Sequence, residues 1–360
     1  MVPRLSVHEL VVELDGVTVL DGIDLSVDAG ATVSVLGPSG GGKSTLLRAI
    51  AGLLDVRSGR IELDGADLAG VPTHRRGLGL MFQDLALFPH RDVGQNVAFG
   101  LVMSGLRGAQ VARRVDEVLE LVGLTGLSRR PVASLSGGQA QRVALARSLA
   151  PAPGVLLLDE PLTSLDRPLH DHLAVELNRV VRSVGQTVVH VTHDRSEALA
   201  HADLLIVLID GRIVQHDSPA EVWRRPASAE VARFLGQSVI DVVVDGERLV
   251  PAGSSTPGGR CGVGPAGGDQ SGALAEVTDW PPGPARIAVP PEAVRLVGPA
   301  DEGVGALVES SSFAGSSSRV QVALADGQEL ATAQPGPPPP TGGRVRVRID
   351  PGSLTVLPGS

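Results

Sequence analysis

The chain is poor in aromatic and reactive residues. In 360 residues it has no tyrosine, two tryptophans, five phenylalanines and one cysteine, and among its 31 basic residues only Lys43 is a lysine. A single Cys261 cannot close an internal disulfide, and it leaves no zinc-ligand spacing, so a reducing cytoplasm is expected. Long hydrophobic runs are missing as well. The longest, residues 204 to 209, is bracketed by Asp203 and Asp210 and is far too short to cross a bilayer. No N-terminal signal pattern is visible. Any work at a membrane is therefore expected to go through a partner. The formal charge of −9 argues against general nucleic-acid binding. A length of 360 residues is enough for two domains.

The most informative stretch that is present runs from Gly37 through Pro38, Ser39, Gly40, Gly41 and Gly42 to Lys43, Ser44 and Thr45, fitting G-x-x-x-x-G-K-[ST]. An apolar run at 33 to 36 reads as a buried strand before it, and residues 46 to 51 read as a helix after it. Glycines let the backbone N–H groups turn inward, and the helix N-terminus adds partial positive charge, which shapes the loop for a polyphosphate. Lys43 is then placed for the β- and γ-phosphates and the Ser44 hydroxyl for Mg²⁺. In a chain whose other 30 basic residues are arginine, the one lysine stands where a slim point charge is needed and a planar fork is not. A guanine-recognising N-K-x-D motif is impossible with no second lysine, which excludes the usual GTP-binding switch.

Alternating residues at 5 to 14 and 17 to 27, joined by Asp15-Gly16, predict a hairpin. Further strands are expected at 61 to 63 and 78 to 82, the latter ending in Gln83, and at 155 to 158 and 187 to 191. From about 88 to 150 the periodicity is helical. Fully apolar strands preceded by helices imply a parallel sheet with both faces covered, an α/β fold. Asp159 and Glu160 follow the 155–158 strand at its carboxyl end, where such sheets place their ligand. An aspartate there suits Mg²⁺, and the neighbouring carboxylate suits the orientation of an attacking water. His193 falls at the same edge after the next strand. A second anion site is expected at Leu135-Ser136-Gly137-Gly138-Gln139, where a serine and two glycines open a helix. One nucleotide cannot easily serve both loops within a monomer.

These motifs, in this order, resemble the nucleotide-binding subunit of an ABC (ATP-binding cassette) transporter. Residues 37 to 45 are similar to the Walker A loop, Gln83 to the Q-loop glutamine, 135 to 139 to the signature sequence and 155 to 159 to Walker B. Glu160 takes the place of the catalytic glutamate, Ser164-Leu165-Asp166 resembles the D-loop, and His193 the switch histidine. The resemblance implies two copies packed head to tail, with ATP between the Walker A loop of one and Ser136, Gly137 and Gly138 of the other. It implies that Glu160 is the general base, with His193 on the γ-phosphate, Gln83 on Mg²⁺ or the water, and Lys43 stabilising charge. Mg²⁺ would then be held by Ser44, Gln83 and Asp159, while Gln139 and Asp166 lie in the nucleotide interface. The place of an adenine-stacking aromatic falls on Leu14, so weaker base discrimination is expected.

The resemblance also implies separate transmembrane permease subunits docking near residues 83 to 90, an extracytoplasmic solute-binding protein acting through them, and a position on the cytoplasmic face of the membrane. The wording around Phe82-Gln83-Asp84 and Leu87 to His90 resembles ATPases of binding-protein-dependent importers more than exporters, and the family resemblance leans toward ferric iron, polyamines, thiamine or similar small solutes. A non-transport ABC ATPase acting on ribosomes or DNA is the alternative reading. Residues 1–236 are expected to form the ATPase domain, with a helical subdomain at about 88–150. Residues 237–360 are expected to form a β-rich, OB-like accessory domain, with glycine-, serine- and proline-rich loops at 251 to 283 and 335 to 340 and strands at 286 to 289, 304 to 308, 319 to 324 and 344 to 349. The Pro290-Pro291-Glu292 stretch echoes an Arg-Pro-Glu element of such domains, with Pro290 in place of the arginine.

Overall fold

Strand β1 (Leu5–Leu14) turns at Asp15-Gly16, both with positive φ, into β2 (Val17–Val27). Leu5 and Val7, and beyond an irregularity at Glu9 (φ +45°) Leu10 and Val12, are buried in one core. β3 (Thr32–Leu36) leads through the glycine loop into α1 (Lys43–Ala51), followed by β4 (Ser58–Leu63), β5 (Ala66–Asp67) and β6 (Leu78–Met81). Then come α2 (Val93–Met103), α3 (Ala109–Leu121), α4 (Gly137–Leu149), β7 (Val155–Asp159), α5 (Arg167–Ser183), β8 (Thr187–Thr192), α6 (Arg195–His201), β9 (Leu204–Ile209) and β10 (Arg212–Asp217). This computed structural model describes residues 2–162, 167–254, 273–278, 280–298 and 301–358.

By its contacts the chain divides into two units, Met1–Pro219 and Ala220–Ser360. In the first, strand order β2-β1-β4-β5 forms an antiparallel sheet and β10-β9-β3-β8-β7-β6 a second sheet. All neighbours in the second sheet are parallel except β10 on β9. The period of two along β7 explains how one apolar run builds two cores. Val155 and Leu157 pack with α1 and the antiparallel sheet, through Leu46, Leu47 and Ile50, whereas Leu156 and Leu158 pack with Val97, Val118 and Val143 of the helical region. The helical stretch expected at 88–150 resolves into α2, α3 and α4. Asp92 with Gln95 and Ser136 with Gln139 form capping boxes that start α2 and α4.

The second unit contains α7 (Pro219–Arg224) and α8 (Ala229–Leu235), then strands β11 (Ser238–Asp245), β12 (Arg248–Pro251), β13 (Ala275–Glu276), β14 (Gly283–Val289), β15 (Val294–Val297), β16 (Val304–Ala314), β17 (Ser317–Leu324), β18 (Glu329–Pro335), β19 (Arg344–Ile349) and β20 (Thr355–Val356). Two five-stranded sheets, β13-β12-β11-β14-β20 and β15-β19-β16-β17-β18, enclose one core that includes Val242, Ile287, Val322 and Val347. Glu292 accepts a hydrogen bond from Trp223 Nε1 at 2.9 Å, which gives the Pro-Pro-Glu turn a structural partner. No helix among the described residues is long and apolar enough to cross a membrane.

Candidate nucleotide-binding site

The site grows from the carboxyl edge of the parallel sheet. Between β3 and α1 the loop passes so close to β9 that a Cβ on Gly37 would lie 2.1 Å from the Leu208 carbonyl oxygen, so only glycine fits. Gly42, the N-cap of α1, has φ +95°, and a Cβ there would come within 2.8 Å of Leu20 Cδ2. Between them Pro38 accepts from the N–H of Gly41 at 3.1 Å. Lys43 is 5% exposed and donates to the carbonyls of Gly37 at 2.8 Å and Pro38 at 2.9 Å, placing its ammonium inside the loop. Burial lowers its pKa from the usual lysine value, and the carboxylates of Glu160 and Asp159 oppose that shift.

Ser44 Oγ donates to Asp159 Oδ1 at 2.7 Å, joining the first turn of α1 to the end of β7. Asp159 is the last residue of β7, opposite Val191 in β8, and is buried. A hydroxyl and one carboxylate in contact suit a small hard cation that keeps most of its water and takes further oxygens from phosphate. No cluster of three or more His, Cys, Asp or Glu side chains occurs among the described residues, so no all-protein metal cage is offered there.

Three further sequence-predicted residues meet on one oxygen. Glu160 Oε2 accepts from Gln83 Nε2 at 3.4 Å and lies 3.1 Å from His193 Nδ1. Gln83 arrives from the turn after β6 and His193 from the turn after β8. Glu160 itself has φ +44°, a left-handed conformation that costs a residue with a Cβ about 1–3 kcal/mol. Its N–H donates to Val191 at 3.0 Å, which pins the strained residue to the neighbouring strand end.

Ser136 caps α4: its Oγ accepts from Gln139 N–H at 3.3 Å, and Gln139 Oε1 accepts from Ser136 N–H at 3.2 Å. Gly137 and Gly138 form the first turn. Among the described residues no hydrogen bond or ion pair joins Ser136, Gly137, Gly138 or Gln139 to the loop at 37–45. Among the described residues the two glycine-rich loops thus share no polar contact within this chain. Leu14 is 37% exposed at the end of β1 and pairs across the hairpin with Val17, 64% exposed. Ser164, Leu165 and Asp166 lie outside the described residues.

Several residues that support the site escaped sequence reading. Thr192 Oγ1 donates to Glu197 Oε2 at 2.7 Å and accepts from Asp194 N–H at 3.0 Å, bracing the turn that carries His193. Glu197 is buried beside His190, whose pKa burial pushes down. Gln141 of α4 donates to the Pro161 carbonyl at 3.0 Å, one residue past Glu160. Asn96, fully buried, accepts from Phe88 N–H at 2.8 Å and donates to Phe88 and Asp92 carbonyls at 3.2 and 2.9 Å. The available signal was a polar residue interrupting an apolar helix face, as Asn96 does in α2 and Gln141 does in α4.

Comparison with known proteins shows the family of the chain. The family model for ABC transporters matches residues 20–163, and that for the TOBE domain matches residues 287–357. The chain is 46% identical to the "Fe(3+) ions import ATP-binding protein FbpC" of Streptomyces coelicolor over 99% of this chain and 97% of that protein. It is 48% identical to the "Spermidine/putrescine import ATP-binding protein PotA" of Thermobifida fusca, over 62% of this chain and 58% of that protein. Among solved structures, CbiO1 from Clostridium perfringens, part of the ABC transporter complex CbiONQ, superposes with a TM-score of 0.57 at 34% identity, covering 66% of this chain and 95% of that one. A glycine loop closed around one lysine, a strained glutamate shared by a glutamine and a histidine, and near end-to-end likeness place the chain in the ABC transporter family, as the ATP-hydrolysing subunit of an importer of small solutes.

Proposed function

We propose that ATP is bound between two copies of this chain, the loop at 37–45 of one facing Ser136, Gly137 and Gly138 of the other. The observation that carries the hydrolytic reading is the meeting of Gln83 and His193 on Glu160 Oε2, beside the Ser44–Asp159 pair. The lack of any polar contact between the two loops among the described residues of one chain supports the dimeric arrangement. Glu160 takes a proton from the water that attacks the γ-phosphorus, and the bond to the bridging oxygen of ADP breaks. Gln83 and His193 orient that carboxylate, and His193 also reaches the γ-phosphate. Lys43 and the loop N–H groups stabilise the charge on the phosphate oxygens. Mg²⁺, held by Ser44 and Asp159 with Gln83 alongside, would neutralise part of that charge. Gln139 sets the cap geometry of Ser136.

Loss of the γ-phosphate removes the group shared by the two copies, so the dimer opens and moves the attached permease subunits. Those subunits dock along the segment from Gln83 to His90 and the end of α2, where Val102 and Met103 are 56% and 64% exposed. The chain then sits on the cytoplasmic face of the membrane and receives the solute signal through the permease from an extracytoplasmic binding protein, with no nucleic acid involved. Ferric iron is the proposed solute, because the iron-import relative matches both units whereas the polyamine-import relative matches less than two thirds of the chain. Deleting the gene should abolish high-affinity ferric uptake and spare spermidine uptake. The opposite pattern would reassign the solute.

At the base, Leu14 and Val17 offer apolar contact without a π-face. ATP and GTP are therefore expected to be hydrolysed with similar kcat/KM. Leu14→Tyr should tighten ATP binding by about 1 kcal/mol, roughly fivefold. Strong ATP preference in the unmodified chain would show that the base contact lies elsewhere.

A further inference from the structure

The loop after Gln83 is gripped by a residue of the helix that opens at Ser136. Arg147, near the end of α4, donates from Nη2 to the Leu85 carbonyl and from Nη1 to the Ala86 carbonyl, both at 2.6 Å. Its guanidinium also lies over the Phe88 ring, 5.7 Å from the centroid. Leu85 and Ala86 have φ values of +58° and +44°. Two consecutive left-handed residues with Cβ atoms are unfavourable by themselves, so the conformation persists because its surroundings impose it. Arg147 supplies that constraint from one side, and Asn96, through both backbone groups of Phe88, from another. Arg91 stacks over Phe88 and Phe99 at 4.9 and 5.3 Å and completes the clasp.

This arrangement gives α4 two ends with different duties. Its N-terminus carries Ser136, and eleven residues later, about 16 Å along a rigid helix, Arg147 holds the loop that begins at Gln83. Gln83 in turn touches Glu160 of the chain's own site. We infer that Arg147 is a positioning residue that transmits the occupancy of one nucleotide site to the other, setting Gln83 against Glu160 when a partner's nucleotide is engaged by Ser136. The inference rests on the two-copy arrangement proposed above. A planar fork suits the task because it binds two adjacent carbonyls at once and lies over a ring, which an ammonium cannot do.

The test uses the full-length chain and measures ATP hydrolysis against ATP concentration for wild type, Arg147→Met and Arg147→Lys. Two coupled sites allow a Hill coefficient of up to about 2. The wild type should lie well above one, Arg147→Met should fall to about one, and Arg147→Lys should recover only part of the difference. Glu160→Gln and the double variant Glu160→Gln/Arg147→Met should both still dimerise with MgATP on gel filtration, since the Ser136 end of the helix is untouched. A general loss of packing would lower the rate without selectively removing cooperativity. If Arg147→Met fails to unfold cooperatively, Arg147→Lys decides, and wild-type cooperativity in it overturns the inference. A dimer with an unchanged Hill coefficient in Arg147→Met, or a wild-type coefficient of one, also overturns it. Failure of Glu160→Gln to dimerise at all overturns the two-copy arrangement itself, and the inference with it.

Discussion

Replacing Glu160 with glutamine is expected to lower ATP turnover by about 10²- to 10⁴-fold while leaving nucleotide binding intact. The glutamine is isosteric, so the strained backbone at this position and its bond to Val191 persist. Lost are the proton-accepting oxygen and the negative charge that faces Lys43 and His193. Without hydrolysis the γ-phosphate stays in place, and two copies should remain closed on MgATP as a stable dimer in gel filtration. Phosphate release and nucleotide titration on the same sample separate the effects. Turnover within tenfold of wild type would remove Glu160 from the role of base.

Exchanging Lys43 for arginine should be almost as damaging, although the two residues carry the same charge and this chain uses arginine at all 30 of its other basic positions. The ammonium lies inside a loop that admits no Cβ at Gly37, and it donates to two carbonyls under 3 Å away. A guanidinium is wider, planar and more weakly hydrated, and it cannot occupy that space without opening the loop. Loss of a preorganised charge of this kind costs about 10²–10³ in kcat, and weakened binding adds to it. Fluorescent-nucleotide titration together with steady-state hydrolysis measures both. An arginine variant retaining half of the wild-type activity would show that charge alone suffices.

Both residues were legible in the sequence because their chemistry comes with a local pattern. The glycine spacing before Lys43, the apolar run before Asp159 and Glu160, and the serine-glycine helix start at Ser136 are short-range signals, and the structure places each on the element expected. The braces were not legible, since their partners are distant in the chain. Arg147 meets Leu85 and Ala86 from 61 or 62 residues away, and Gln141 meets Pro161 only because α4 runs beside the end of β7. The second unit was read in part. Strands such as β17 and β19 alternate clearly, whereas β18, built of Ala, Thr and Gln around Leu330, carries too little hydrophobic contrast to stand out. The first strand of that unit, β11, alternates well but falls where the sequence reading placed a domain boundary.

The lone lysine has a consequence outside catalysis. Acyl phosphates, aldehydes and activated esters that seek side-chain amines have one target in this chain, and it is the group proposed to receive the phosphates. Each such adduct is therefore expected to inactivate one engine, with no harmless surface lysines to dilute the damage. At 5% exposure and tied to two carbonyls, that one amine is screened from such reagents by its own loop.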